Sequence, residues 1–142
     1  MPVRTADAQW EGSLEDGKGT MRFGSGAFEG QYSFSSRFEE GPGTNPEELI
    51  GAAHAGCFSM ALAGGLSRAG HVPDSVHTTA RVHIEKGESG FGITKIELEC
   101  EVRVPGVEEA KFQEIAESSK KGCPVSQALA AVDIALTAKL VA

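Results

Sequence analysis

The chain reads as one α+β domain spanning residues 1–142, with antiparallel sheets set around a long cysteine-bearing helix. Three features lead to that class. Residues 43–70, GTNPEELIGAAHAGCFSMALAGGLSRAG, repeat apolar and small side chains at helical spacing. Two later stretches, 76–86 and 93–106, alternate apolar and polar residues with the period of a half-buried strand. The segments between strands are short turns rather than long crossovers, giving the order β-β-α-β-β-α-α-β.

Each element has a local cause. Residues 8–37 are rich in Gly, Ser and Thr, with Trp10, Phe23, Phe28, Tyr32 and Phe34 spaced between them, as short strands with tight turns require. Residues 39–45, EEGPGTN, form a loop into the long helix. Asn45 is placed to cap that helix, Pro46 suits its first position, and Glu48 stands where a capping-box acid would. Leu49, Ala52, Ala53, Gly56, Cys57, Met60, Ala61 and Gly64 define one face, whose small residues admit a close neighbour. Gly70 and Pro73 end the helix.

In the next strand Val76, Ala80, Val82 and Ile84 share the dry face, while His77, Arg81, His83 and Glu85 face water. GESGFG turns the chain, and Ile96, Leu98, Cys100, Val102 and Val104 continue the apolar row. Residues 107–121 are helical with Phe112, Ile115 and Ala116 inward; Cys123-Pro124 opens a short helix to about Ala131; DIALTAKLVA is the last strand.

A formal charge of −7 argues against nucleic acid or an anionic membrane as partner. No uninterrupted apolar run reaches the roughly 20 residues of a bilayer span. The first ten residues have no apolar signal-peptide core, so the expected compartment is the cytoplasm. Three cysteines, an odd number, speak for free or redox-active thiols rather than a disulfide framework.

Those thiols differ in setting. Cys100, among apolar strand residues, reads as a small buried hydrophobe. Cys123, between Gly122 and Pro124, takes an N-cap or first-turn place that favours a thiolate, although a packing role fits too. Cys57 lies mid-helix, where burial raises a thiol pKa, so reactivity there needs a cation from elsewhere. His54, Cys57 and Cys123 lack a fourth ligand of suitable spacing, so no metal is expected.

NPEELIGAAHAGCFSMAL and KKGCPVSQ, with RFEEGPGTNPEELI and FGITKIELE, closely resemble the osmotically inducible protein C family, sister to the organic hydroperoxide resistance proteins. The resemblance runs over nearly the whole chain. It implies an intertwined homodimer and a thiol-dependent peroxidase that needs no cofactor. Cys57 then matches the peroxidatic cysteine, Cys123 the resolving one, Arg37 the activating arginine and Glu47 its partner.

It also implies an organic hydroperoxide as substrate and an external dithiol as reductant, with lipoyl groups on a carrier protein as its source. Leu49, Phe58, Met60 and the alanines are expected to make the pocket around Cys57 apolar. Without the resemblance, Arg37 is a surface residue at a strand end and Glu47 a first-turn acid stabilised by the helix dipole. A non-catalytic redox sensor or apolar-ligand module is the alternative reading.

Glu47 and Cys57 stand ten residues apart on one helix, about 15 Å along its axis. One guanidinium spans that poorly. Antiparallel copies of the helix would solve it, with Arg37 and Glu47 of one subunit serving Cys57 and Cys123 of its partner.

Overall fold

A computed structural model describes residues 1–142, which divide into two compact units, Met1–Leu49 and Ile50–Ala142. The first unit holds an antiparallel sheet of β1 (Ala6–Glu11), β2 (Lys18–Phe23) and β3 (Glu29–Tyr32). Gly19 in β2 lies where Trp10 and Tyr32 close over the backbone; a Cβ there would meet the Tyr32 ring at 2.4 Å. The two rings tilt against each other at 5.3 Å.

Helix α1 (Phe34–Phe38) follows, where the sequence pattern suggests a continuing strand. Ser33 decides this locally. Its hydroxyl accepts from the Ser36 amide while the Ser36 hydroxyl accepts from the Ser33 amide, a reciprocal cap that ends the strand and starts a helix. The observed order is therefore β-β-β-α-α-β-β-α-α-β.

Helix α2 (Pro46–Arg68) has the ends its sequence demands. The Asn45 side chain accepts from the Glu48 amide at 2.8 Å. At the other end Gly70 takes φ 90°. His71 and Gly70 then donate back to the Leu66 and Ser67 carbonyls, completing a Schellman close.

The buried stripe is not the expected one. Glu47, Gly51, His54, Phe58, Leu62 and Leu66 are buried, whereas Ala52, Ala53, Gly56 and Met60 are exposed. Both faces are apolar, and bulk decides between them: Phe58, Leu62 and Leu66 each contribute about 1.5–3 kcal/mol on burial, far more than alanine can. By length and mean hydropathy, 1.5, α2 also matches a bilayer span. Its Phe58, Leu62 and Leu66 instead join the core of the second unit.

That unit is built on β4 (Ser75–Gly87), β5 (Gly90–Arg103) and β6 (Asp133–Leu140), with α3 (Glu109–Gly122) and α4 (Pro124–Ala128) between the last two strands. β4 and β5 form the expected antiparallel hairpin. β6 runs parallel to β5, which corrects the all-antiparallel expectation. The α3–α4 segment carries the chain back to the starting end of the sheet, so the last strand enters in the same direction as β5.

Ile96, Leu98, Cys100 and Val102 from β5 meet Phe112 and Ala116 from α3 and the α2 stripe in one core. On the opposite face His83, expected to be solvated, lies 2.6 Å from Glu97. Arg81 bridges Glu97 and Glu99 beside it.

Candidate active site

In the first unit the loop after α1 is pinned back onto it. Ser36 donates to the Thr44 carbonyl at 2.7 Å, and the Asn45 amide donates to the Ser36 carbonyl at 3.0 Å. This fixes Arg37, in the last turn of α1, against Glu47, in the first turn of α2. Arg37 Nε donates to Glu47 Oε1 at 3.0 Å and its Nη2 to Oε2 at 2.9 Å, a bidentate pair. The carboxylate is buried, and the guanidinium is 36% exposed. It lies over the Phe38 ring at 5.2 Å and lines a groove of about 390 Å³ with Trp10, Leu14, Tyr32, Phe34 and Phe38. Arg37 thus sits on a helix, not at a strand end.

In the second unit Cys57 packs against the core cluster that contains Cys123, close enough for each thiol to act on the other's ionisation, and all three cysteines are free thiols. Cys57 is half-buried; Cys123 is almost fully buried and caps α4, with Pro124 at its first position. Burial pushes the Cys57 thiol up; the Val125 amide opposes this, and the neighbouring Cys123 adds to it. No cation figures among these influences.

For Cys123, burial raises the pKa, but the Ser126 hydroxyl and amide, the neighbouring Cys57 and the Val125 amide together outweigh it and bring it below the ordinary thiol value. The Ser126 amide lies 3.3 Å and its hydroxyl 3.2 Å from Cys123 Sγ. Cys100 is remote from this chemistry: burial, partly offset by the Lys139 amide, pushes it up to about 11.

The structure therefore joins Arg37 to Glu47 and Cys57 to Cys123, the two pairs falling in different units. Phe58 shares the buried core cluster with Cys123 and opens no surface beside Cys57. It is fully buried in the core, since successive residues on a helix point about 100° apart, and Met60 is exposed.

One pairing escapes sequence reasoning, which weighs His54 only as a metal ligand and passes over Ser126. His54, fully buried, lies with Nε2 2.7 Å from Ser126 Oγ. Their only signal is positional: each stands three residues from a cysteine, His54 before Cys57 and Ser126 after Cys123.

An α+β fold holding two free thiols in contact, one half-open and one capped and tuned, defines a cysteine-based redox protein. Residues 39–137 match the family model described as OsmC-like protein. The chain is 53% identical to the peroxiredoxin OsmC of Escherichia coli over 129 residues, covering 90% of each chain. It is 33% identical to an organic hydroperoxide resistance protein of Xanthomonas axonopodis pv. citri, covering 68% of each.

Among solved structures, an OsmC-like protein of Mycoplasma pneumoniae superposes with a TM-score of 0.78 at 16% identity, covering 99% of both chains. The organic hydroperoxide resistance protein OhrB of Bacillus subtilis does so with 0.68 at 24%, covering 96% of this chain and 98% of that one. The chain belongs to the OsmC-like protein family.

Proposed function

We propose that the chain is a cytoplasmic thiol-dependent peroxidase that reduces organic hydroperoxides to alcohols. The observation that carries this is the proximity of Cys57 and Cys123, each thiol acting on the other's ionisation, which supports reading one as the attacking and the other as the resolving sulfur. The half-open Cys57 thiolate attacks the terminal peroxide oxygen. The O–O bond breaks, the alkoxide leaves and is protonated to the alcohol, and Cys57 becomes a sulfenic acid. Cys123 condenses with it, releasing water and closing a disulfide that an external dithiol, such as a lipoylated carrier protein, reduces.

Cys57 needs a cation to offset its burial, and Arg37 is the one proposed for that role. Fixed by Glu47, it can stabilise the thiolate and donate to the departing oxygen. The exposed small-residue face of α2, with Ala52, Ala53 and Gly56, offers a surface for a second copy. In a two-fold homodimer, Arg37 and Glu47 of each subunit then serve Cys57 and Cys123 of the other. The aromatic groove beside Arg37 suits the alkyl part of the substrate. Burying roughly 60 Å² more of a bulky hydroperoxide at about 25 cal/mol per Å² favours it about tenfold over hydrogen peroxide.

The test follows peroxide loss with a dithiol in excess, comparing cumene and tert-butyl hydroperoxide with hydrogen peroxide. Multiple turnovers with the organic substrates preferred are expected. Consumption of one peroxide per site despite excess dithiol would mark a sensor instead.

A further inference from the structure

We propose that His54, acting through the Ser126 hydroxyl, accepts the proton that Cys123 loses as it closes the disulfide on Cys57. This rests on the peroxidase reading above.

Three groups form an unbroken chain inside the second unit. Cys123 Sγ lies 3.2 Å from Ser126 Oγ, in the direction of thiol donation. Ser126 Oγ lies 2.7 Å from His54 Nε2. Cys123, Ser126 and His54 are all buried, so bulk water does not compete for these bonds. The chain comes from two places, α2 and α4, and ends on a ring whose other nitrogen, Nδ1, is the one buried side-chain polar atom without a hydrogen-bond partner. A core histidine kept only for structure would be expected to use both nitrogens, because an unpaired buried polar atom is costly.

Condensation creates a demand that this chain meets. Cys57–S–OH and Cys123–S–H become Cys57–S–S–Cys123 and water. The S–S bond forms as the S–O bond breaks, and that electron pair leaves with oxygen; Cys123 is oxidised and the sulfenic acid reduced. The Cys123 proton passes to Ser126 Oγ while the Ser126 proton passes to His54 Nε2. The departing hydroxide becomes water by taking a proton from solvent, and the imidazolium returns its own to solvent.

Burial alone lowers the His54 pKa, with no charged group acting on it, so the ring does not retain the proton after the step. Cys57 stands three residues along the same helix, Glu47 two turns back on the same buried stripe, and Cys123 is reached through Ser126. His54 is thus a positioning residue for the resolving step and has no part in the first oxidation.

The test uses the full-length protein with one equivalent of cumene hydroperoxide. Sulfenic acid is trapped with dimedone, and disulfide formation is followed by quenched mass spectrometry. His54→Gln keeps a hydrogen-bonding atom near the Nε2 position but cannot hold the proton. Ser126→Ala breaks the chain, and Ser126→Thr restores the hydroxyl. Sulfenic acid should form at the wild-type rate in all three.

Disulfide closure should slow about 100-fold in His54→Gln and Ser126→Ala, the lower range for losing a general base, and stay within a few fold in Ser126→Thr. In the two slow variants closure should rise about tenfold per pH unit below the Cys123 pKa, as the thiolate fraction does. Wild-type closure in a folded His54→Gln overturns the proposal. So does equal slowing in Ser126→Thr and Ser126→Ala, which would mean a packing role. If wild-type protein forms no sulfenic acid at all, the peroxidase reading fails instead.

Discussion

Replacing Glu47 by Gln tests whether the fold spends a buried carboxylate to aim Arg37. The change keeps shape and removes charge. One oxygen can still accept from the guanidinium, but the new amide group is a donor facing a donor, so the bidentate grip at 3.0 and 2.9 Å is lost. Two charge-assisted bonds are worth about 1.5–3 kcal/mol each when desolvated. Arg37 is 36% exposed and one bond survives, so solvent screening brings the expected loss to about 1–2 kcal/mol. That corresponds to a thermal midpoint lower by roughly 3–7 °C.

The kinetic loss should be larger in proportion. A guanidinium displaced by about 1 Å from the reacting sulfur costs on the order of 100-fold, against 100- to 1,000-fold for Arg37→Ala, which removes the donor. Stopped-flow measurement of sulfenic acid formation, alongside thermal denaturation, gives both numbers. Glu47→Asp, with charge intact but a shorter reach, should fall between. A Glu47→Gln protein that is destabilised yet oxidised at the wild-type rate would refute the reasoning, because Arg37 would then act without being held.

Further outcomes follow from the same geometry. Cys57→Ser should abolish peroxide consumption, whereas Cys123→Ser should keep the first oxidation and accumulate sulfenic or higher acids; a disulfide to Cys100, read by mass spectrometry, would contradict both. Refolding Cys57→Ser together with Arg37→Ala should restore roughly a quarter of wild-type activity, since random pairing leaves one intact site in half of the dimers; no recovery in verified mixed dimers means each site lies within one chain. Cys100 gives a pH signature. Its folded pKa of about 11 exceeds the unfolded 9.0, so its contribution is complete below pH 9 and is lost as pH rises toward 11. Denaturant titrations should therefore lose about 2–3 kcal/mol more across that window in wild type than in Cys100→Ala.

What the sequence discloses depends on the range of the interaction. Caps are local, and the ends of α2 at Asn45, Pro46 and Gly70 are legible, as is the Cys123 cap of α4. The Ser33 cap was equally local, but QYSFSSRF carries enough aromatic residues to read as strand. The buried face of α2 follows the bulk of Phe58, Leu62 and Leu66, which an apolar-or-polar pattern does not weigh because alanine and glycine count as apolar too. The direction of β6 was not legible: alternation is the same in parallel and antiparallel strands, and only the length of the connection differs. Among the candidate residues, Cys123 stands out by its cap position alone, whereas Cys57, Arg37 and Glu47 take their roles from the family resemblance. The contact of His54 with Ser126 spans 72 residues and leaves no mark on periodicity.

Cys123 lies at the joint between α3 and α4, inside a crossover whose two ends are fastened to neighbouring strands of one sheet. A sulfur on such a tether cannot diffuse away from its partner. The local concentration of thiol that Cys57 meets is then set by geometry, at about millimolar or above even for a loose tether, and it does not change when the protein is diluted. A second molecule of hydroperoxide, by contrast, arrives at whatever concentration the solution holds. The competition between closing the disulfide and burning the sulfur further is therefore decided by the oxidant alone, and overload should appear as a threshold in peroxide that is independent of how much protein is present.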